Sequence, residues 1–143
     1  MIRPKQSNII DITFTNFKSN VMESKKPVVI KFYSNGCHLC RSLKPIYERL
    51  SEEYENQFVF GRVDTNRDNL LSRYFKPDGV PEIFIVNPME DGNKRTFVIP
   101  YPKKPDPRTG FTESYLKQQF DKYINQMWGI KWMFTMHQDL LRH

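Results

Sequence analysis

The residues of this chain best suited to chemistry are its two cysteines, which stand three apart in Asn35-Gly36-Cys37-His38-Leu39-Cys40. A Cys-x-x-Cys pair can hold a metal, close a structural disulfide or exchange electrons with another disulfide. A metal needs further ligands. His137 and His143 have the x5 gap of a zinc-finger histidine pair, yet Cys40 precedes them by nearly a hundred residues without a supporting cluster, so neither a metal nor another cofactor is expected. A structural staple needs an oxidising compartment. The first residues, Met1 to Gln6, lack the apolar stretch and cleavage site of a secretory signal, and Asp11 and Glu23 do not suit an acidic-poor transit peptide. A cytoplasmic, reducing location is the expectation, and electron exchange is the use of the pair that remains.

Exchange requires a particular setting for the two thiols. Val28 to Tyr33 is a β-branched and aromatic run of strand length, apolar enough to be buried on both faces. Ser34-Asn35-Gly36 makes a tight turn, after which Leu39, Leu43, Ile46, Tyr47, Leu50 and Tyr54 step at i+3 and i+4. That period is an amphipathic helix beginning at the first cysteine. Cys37 thus lies at a helix amino end, where unpaired N–H groups and the positive end of the dipole favour thiolate, the form that attacks disulfides. Cys40, one turn on and on the same side, can then attack the mixed disulfide, release the reduced substrate and close Cys37 to Cys40.

The remaining elements build a sheet around that junction. Phe14, Phe17, Val21 and Met22 follow possible caps at Thr13 and Thr15, so a first helix is expected to run to Ser24. Phe58 to Asp64 reads as a second strand, and Asn69 to Phe75 as a short helix. Pro77-Asp78-Gly79 breaks the chain before Val80-Pro81, Glu82 to Val86 reads as a third strand, and a turn at Asp91-Gly92-Asn93 joins it to a strand over Arg95 to Ile99. Thr112-Glu113 opens a last helix marked by Leu116, Phe120, Ile124 and Trp128.

Composition narrows the class. A chain of 143 residues with 38% hydrophobic and 14% aromatic residues can bury one core, which excludes disorder. Two cysteines exclude a multi-disulfide scaffold, and no apolar run is long enough for a membrane span. The net charge of +6 is spread along the chain without a recognition motif, so no nucleic-acid partner is expected.

With these residues together, the chain resembles the thioredoxin family. The resemblance rests on the strand Val28 to Tyr33, the motif Cys37-His38-Leu39-Cys40, Pro45 five residues later, Gly79-Val80-Pro81 before the next strand, and Asp91-Gly92 at a hairpin turn, over roughly residues 9 to 124. It implies an α/β thioredoxin fold, a central mixed β-sheet flanked by helices, here with a C-terminal helical extension. Residues 1–126 would form the domain, with residues 127–143 an apolar extension packed on it or on a partner. The implied activity is thiol–disulfide exchange with protein disulfides, supplied by an upstream dithiol reductase or oxidant, with Cys37 as nucleophile and Cys40 as resolving thiol. A cis Val80-Pro81 bond would set its loop against the cysteines and leave the Val80 backbone to pair with an extended substrate.

Three departures from the family pattern bear on the site. His38-Leu39 stands between the cysteines where Gly-Pro is usual, and a cationic His38 would favour the thiolate and a more oxidising couple. Lys31 stands where the family carries a buried acid; a lysine there more often snorkels to the surface. Gly36 and Tyr33 replace tryptophans, so the apolar substrate platform should be smaller. The loop from Pro100 to Gly110 has four prolines in eleven residues and carries Lys103, Lys104 and Arg108, which suits a stiff, basic wall for an acidic partner. The tail, with Trp128, Ile130, Trp132, Met133, Phe134, Met136, Leu140 and Leu141, is too apolar for a free end and suggests packing, a partner or a dimer contact. The rival function is a thioredoxin-fold binding module whose groove, loop and tail hold a partner with little redox turnover.

Overall fold

A computed structural model of the chain describes residues 7–88 and 94–142, with the side chains of 94–95 and 128–135 outside that description. The expected hairpin turn at Asp91-Gly92-Asn93 lies outside the described residues, as do His143 and the side chains of Trp128, Ile130, Trp132, Met133 and Phe134.

The strands are β1 (Ile10–Asp11), β2 (Val28–Tyr33), β3 (Val59–Asp64), β4 (Glu82–Pro88) and β5 (Lys94–Val98), and the helices α1 (His38–Glu53), α2 (Asn69–Phe75) and α3 (Glu113–Arg142). They form one mixed sheet in the order β1-β3-β2-β4-β5. β1, β3 and β2 run parallel, while β4 is antiparallel to both β2 and β5. The continuous apolar run of β2 is explained by its central place: five of its six residues are buried, because helices cover both faces of the sheet.

Alternation along β2 divides the core. Val29 belongs to the cluster in which Leu43, Tyr47 and Leu50 of α1 meet Leu116 and Phe120 of α3 and Ile83 and Ile85 of β4. Val28, Ile30 and Phe32 face the other way, onto Val21, Val63, Leu71, Phe84 and Val86. The period of two therefore turns Lys31 toward α1 with Val29. On β3, Gly61 suits a close approach: the buried Ile12 side chain occupies the place of a Cβ.

The first helix is shorter than its periodicity predicts. It is a π-type turn over Lys18–Met22, closed by Glu23 N–H donating to Lys18 O at 3.0 Å. Thr13 and Asn16 form a capping pair ahead of it, each side chain accepting from the other's backbone N–H, at 3.3 and 2.9 Å, so Thr13 is one of the two caps that the sequence offers. Phe14 is left 62% exposed.

At the other end, α3 runs on through Arg142 as one helix. Tyr54 Oη donates to Asp121 at 2.7 Å and Arg49 pairs with Glu113 at 3.2 Å, tying its first turns to α1. Beyond them, residues 136–142 are exposed, Leu140 and Leu141 at 71% and 69%. The packing on the domain anticipated for the extension does not reach these residues.

Candidate active site

The site forms where β2 hands the chain to α1. Cys37 caps α1 in extended conformation (φ −87°, ψ 114°), and its Sγ accepts from the Cys40 N–H at 3.1 Å. That bond strengthens when the sulfur carries negative charge, so the helix end is built to receive a thiolate. The Cys37 thiol in turn donates to the Val80 carbonyl at 3.6 Å. Val80 is half-buried and Pro81 buried, and the bond between them is cis. Cys37 and Cys40 at the start of α1 are thus brought together with Val80 and Pro81 just before β4.

The two thiols, both free, differ in environment. Cys37 is half-buried, whereas Cys40 is 4% exposed on the face that α1 turns to the sheet. Burial, and then the hydrogen bond to Cys37, push the Cys40 thiol up to about 12. Access therefore distinguishes the outer thiol at the helix end from the inner one behind it.

Around the thiols the structure sorts the remaining candidates. His38 and Gly36 are exposed and Leu39 half-buried at the mouth, and a Cβ added to Gly36 would meet nothing within 4 Å. Pro45 lies inside α1 on its exposed side. Tyr33 is half-buried at the end of β2, beside a polar cavity of about 170 Å³ that Asp11, Arg62, Asp64 and Arg67 also line. There Arg62 Nε donates to Asp11 Oδ1 at 2.6 Å, with its guanidinium 5.8 Å from the Tyr33 ring centroid.

Lys31 departs from the sequence reading. It does not snorkel: it is 3% exposed, its Nζ lies 4.6 Å from the centroid of the Tyr47 ring and 5.7 Å from that of Tyr33. Burial first of all pulls this amine down to about 8, against the pull of Cys40 in the opposite direction. β2 is central, so its lysine has no route to water, and an aromatic face takes the place of solvent. Tyr47 was not singled out in the sequence as more than a core position. Its hydroxyl lies 2.7 Å from Gly61 O and 3.1 Å from Val29 O, which fixes the ring across β2 and β3.

A second feature missed in the sequence is Tyr101. Ile99 N–H donates to Ile83 O at 2.9 Å, which carries the antiparallel register of β4 and β5 one step further. Tyr101 follows two residues further on. The loop behind it is built: Asp106 and Gly110 exchange backbone hydrogen bonds at 3.1 and 2.7 Å, Tyr115 Oη donates to Pro100 O at 2.5 Å, and the Tyr101 ring stands edge-on to Phe111 with centroids 5.2 Å apart. Gly110 is favoured by its φ of +73°, and the Tyr101 hydroxyl, the end of an exposed side chain, lies 2.7 Å from where a Cβ would stand.

Comparison with known proteins agrees with this geometry. The family model described as Thioredoxin matches residues 8–99. A thioredoxin of Borreliella burgdorferi is 29% identical over 116 residues, which cover 81% of this chain and 86% of that relative. Human protein disulfide-isomerase A4 is 36% identical over 70 residues, 48% of this chain but 11% of the relative. Among solved structures, ERdj5 form I superposes on 84% of this chain with a TM-score of 0.65 at 15% identity, a likeness of fold that takes in 15% of the ERdj5 chain.

Proposed function

The chain belongs to the thioredoxin family, and from that premise we propose that its thiol–disulfide exchange is the reduction of protein disulfides by Cys37 and Cys40. The observation that carries this reading is the Cys37 sulfur held between the Cys40 N–H and the Val80 carbonyl, with the second thiol buried one turn behind it.

The cycle follows from these positions. The Cys37 thiolate attacks one sulfur of a substrate disulfide, and the other substrate sulfur leaves with the electron pair and takes up a proton. The negative charge that the Cys37 sulfur carries before attack is met by the Cys40 N–H and the positive end of α1. Val80 and Pro81 border the reacting sulfur, so an extended substrate segment lies across their backbone. Cys40 then loses its proton and attacks Cys37 Sγ, the bond to the substrate breaks, and the second substrate sulfur leaves reduced. Two electrons pass to the substrate and Cys37 is joined to Cys40. No cofactor enters the cycle; an upstream dithiol reductase returns the pair to two thiols. Likeness to the bacterial thioredoxin supports placing this cycle in the cytoplasm.

Incubation of single-serine variants with a protein disulfide tests the roles. Cys40→Ser accumulates a mixed disulfide on Cys37, and Cys37→Ser neither exchanges nor traps. Trapping by Cys37→Ser instead would reverse the assignment, and trapping by neither would remove the exchange reading.

A further inference from the structure

Lys31 is a buried cationic side chain that the cycle above leaves unused. Its strand sets it between Arg62 of β3 and Ile83 of β4, with its side chain turned toward α1. Cys40 and Tyr47 stand seven residues apart on α1, about two turns, and both are buried on the side facing the sheet. The Lys31 Nζ over the Tyr47 ring, walled by two aromatic rings, thus lies between the sheet and the same face of α1 that carries the buried resolving thiol. A charge in such a layer is felt strongly, because little water screens it. Cys40 and Glu48 favour the ammonium, and Arg62 and Lys44 oppose it.

We propose that Lys31 is a positioning residue that acts through Cys40, its buried ammonium stabilising the Cys40 thiolate that resolves the mixed disulfide. The inference rests on the exchange reading above. In the step concerned, the Cys40 proton passes to solvent, the Cys40–Cys37 bond forms, and the Cys37–substrate bond breaks. The substrate sulfur leaves with the electron pair, and Lys31 keeps its proton throughout. Lys31 thus differs from a carboxylate at the same place, which would repel the thiolate whenever it was ionised.

This role leaves a signature in pH. Burial brings the Lys31 amine to about 8 and the Cys40 thiol to about 12. Below about 8 the amine is charged and the thiolate is helped; above it the help is withdrawn as fast as hydroxide removes further Cys40 protons. Resolution in the native chain should therefore climb with pH and bend over near 8.

The experiment mixes the reduced full-length chain with an excess of a symmetrical aromatic disulfide and follows release of the coloured thiol. One equivalent is released as Cys37 attacks and a second as Cys40 resolves. Lys31→Met should leave the first phase unchanged, slow the second about tenfold at neutral pH, and let it rise about tenfold per pH unit without a bend near 8. Lys31→Arg, a cation that does not titrate, should restore the neutral-pH rate but not the bend. A second phase with the native rate and bend in Lys31→Met, or Lys31→Arg as slow as Lys31→Met, overturns the inference and leaves exchange intact. Absence of a second phase from the native chain removes the exchange reading itself.

Discussion

Lys31 and the two cysteines set the chemistry at the scale of single residues, and Lys31 also bears on stability. Its amine falls from 10.5 to about 8 on folding, so between those values the unfolded chain binds more protons and stability from this group rises with pH. Removing it should stabilise: Lys31→Met is expected to gain up to about 3 kcal/mol over the native chain below pH 8, with the gain fading toward pH 10.5. Urea unfolding of both chains across that range checks it, and a difference that does not change with pH would place the buried charge elsewhere. Cys37 and Cys40 were legible from their spacing alone, since a thiol pair at a strand-to-helix junction has few uses. The fate of Lys31 was not. Whether a lysine reaches water depends on what covers its strand, and the Tyr47 ring that receives it lies sixteen residues away on another element.

At the scale of elements, four of the five strands and the three helices follow the patterns in the sequence closely, because α1, β2 and β4 each carry a strong period and clear breakers at their ends, while β1, two residues long, carries no such signal. The first helix is opened by the Thr13–Asn16 capping pair, as the sequence suggests, but it closes as a π-type turn over Lys18–Met22, which apolar spacing does not register. The prolines of residues 100–110 read as a stiff, basic wall, while the closure of that loop by the Tyr101 and Phe111 rings, ten residues apart, carries no period that the sequence shows. A rigid loop after β5 should matter to large substrates alone. Gly110→Ala, which puts a Cβ against Tyr101 and strains a positive φ, is expected to cost about 1–2 kcal/mol of stability. It should slow reduction of a protein disulfide while sparing a small aromatic disulfide. Equal slowing of both would show that the loop serves the thiols and not the substrate.

For the whole molecule, a domain with one mixed sheet and two core layers takes in α3 as far as Met127, and residues 136–142 of the same helix are exposed. Ending the chain after residue 135 removes exposed side chains such as Leu140 and Leu141, so stability in urea should change by less than about 0.5 kcal/mol. A loss of about 2 kcal/mol or more would mean that this end packs on the domain. The central claim concerns the same molecule as a two-electron device. Equilibrating the full chain in glutathione buffers of stepped potential, then counting free thiols after acid quench, tests it most directly. The account predicts one transition in which both thiols disappear together, toward the reducing end near −270 mV and away from the −120 mV or so of a strong oxidant. Thiols that stay free across the range, or Cys37 capped by glutathione while Cys40 remains titratable, would contradict it.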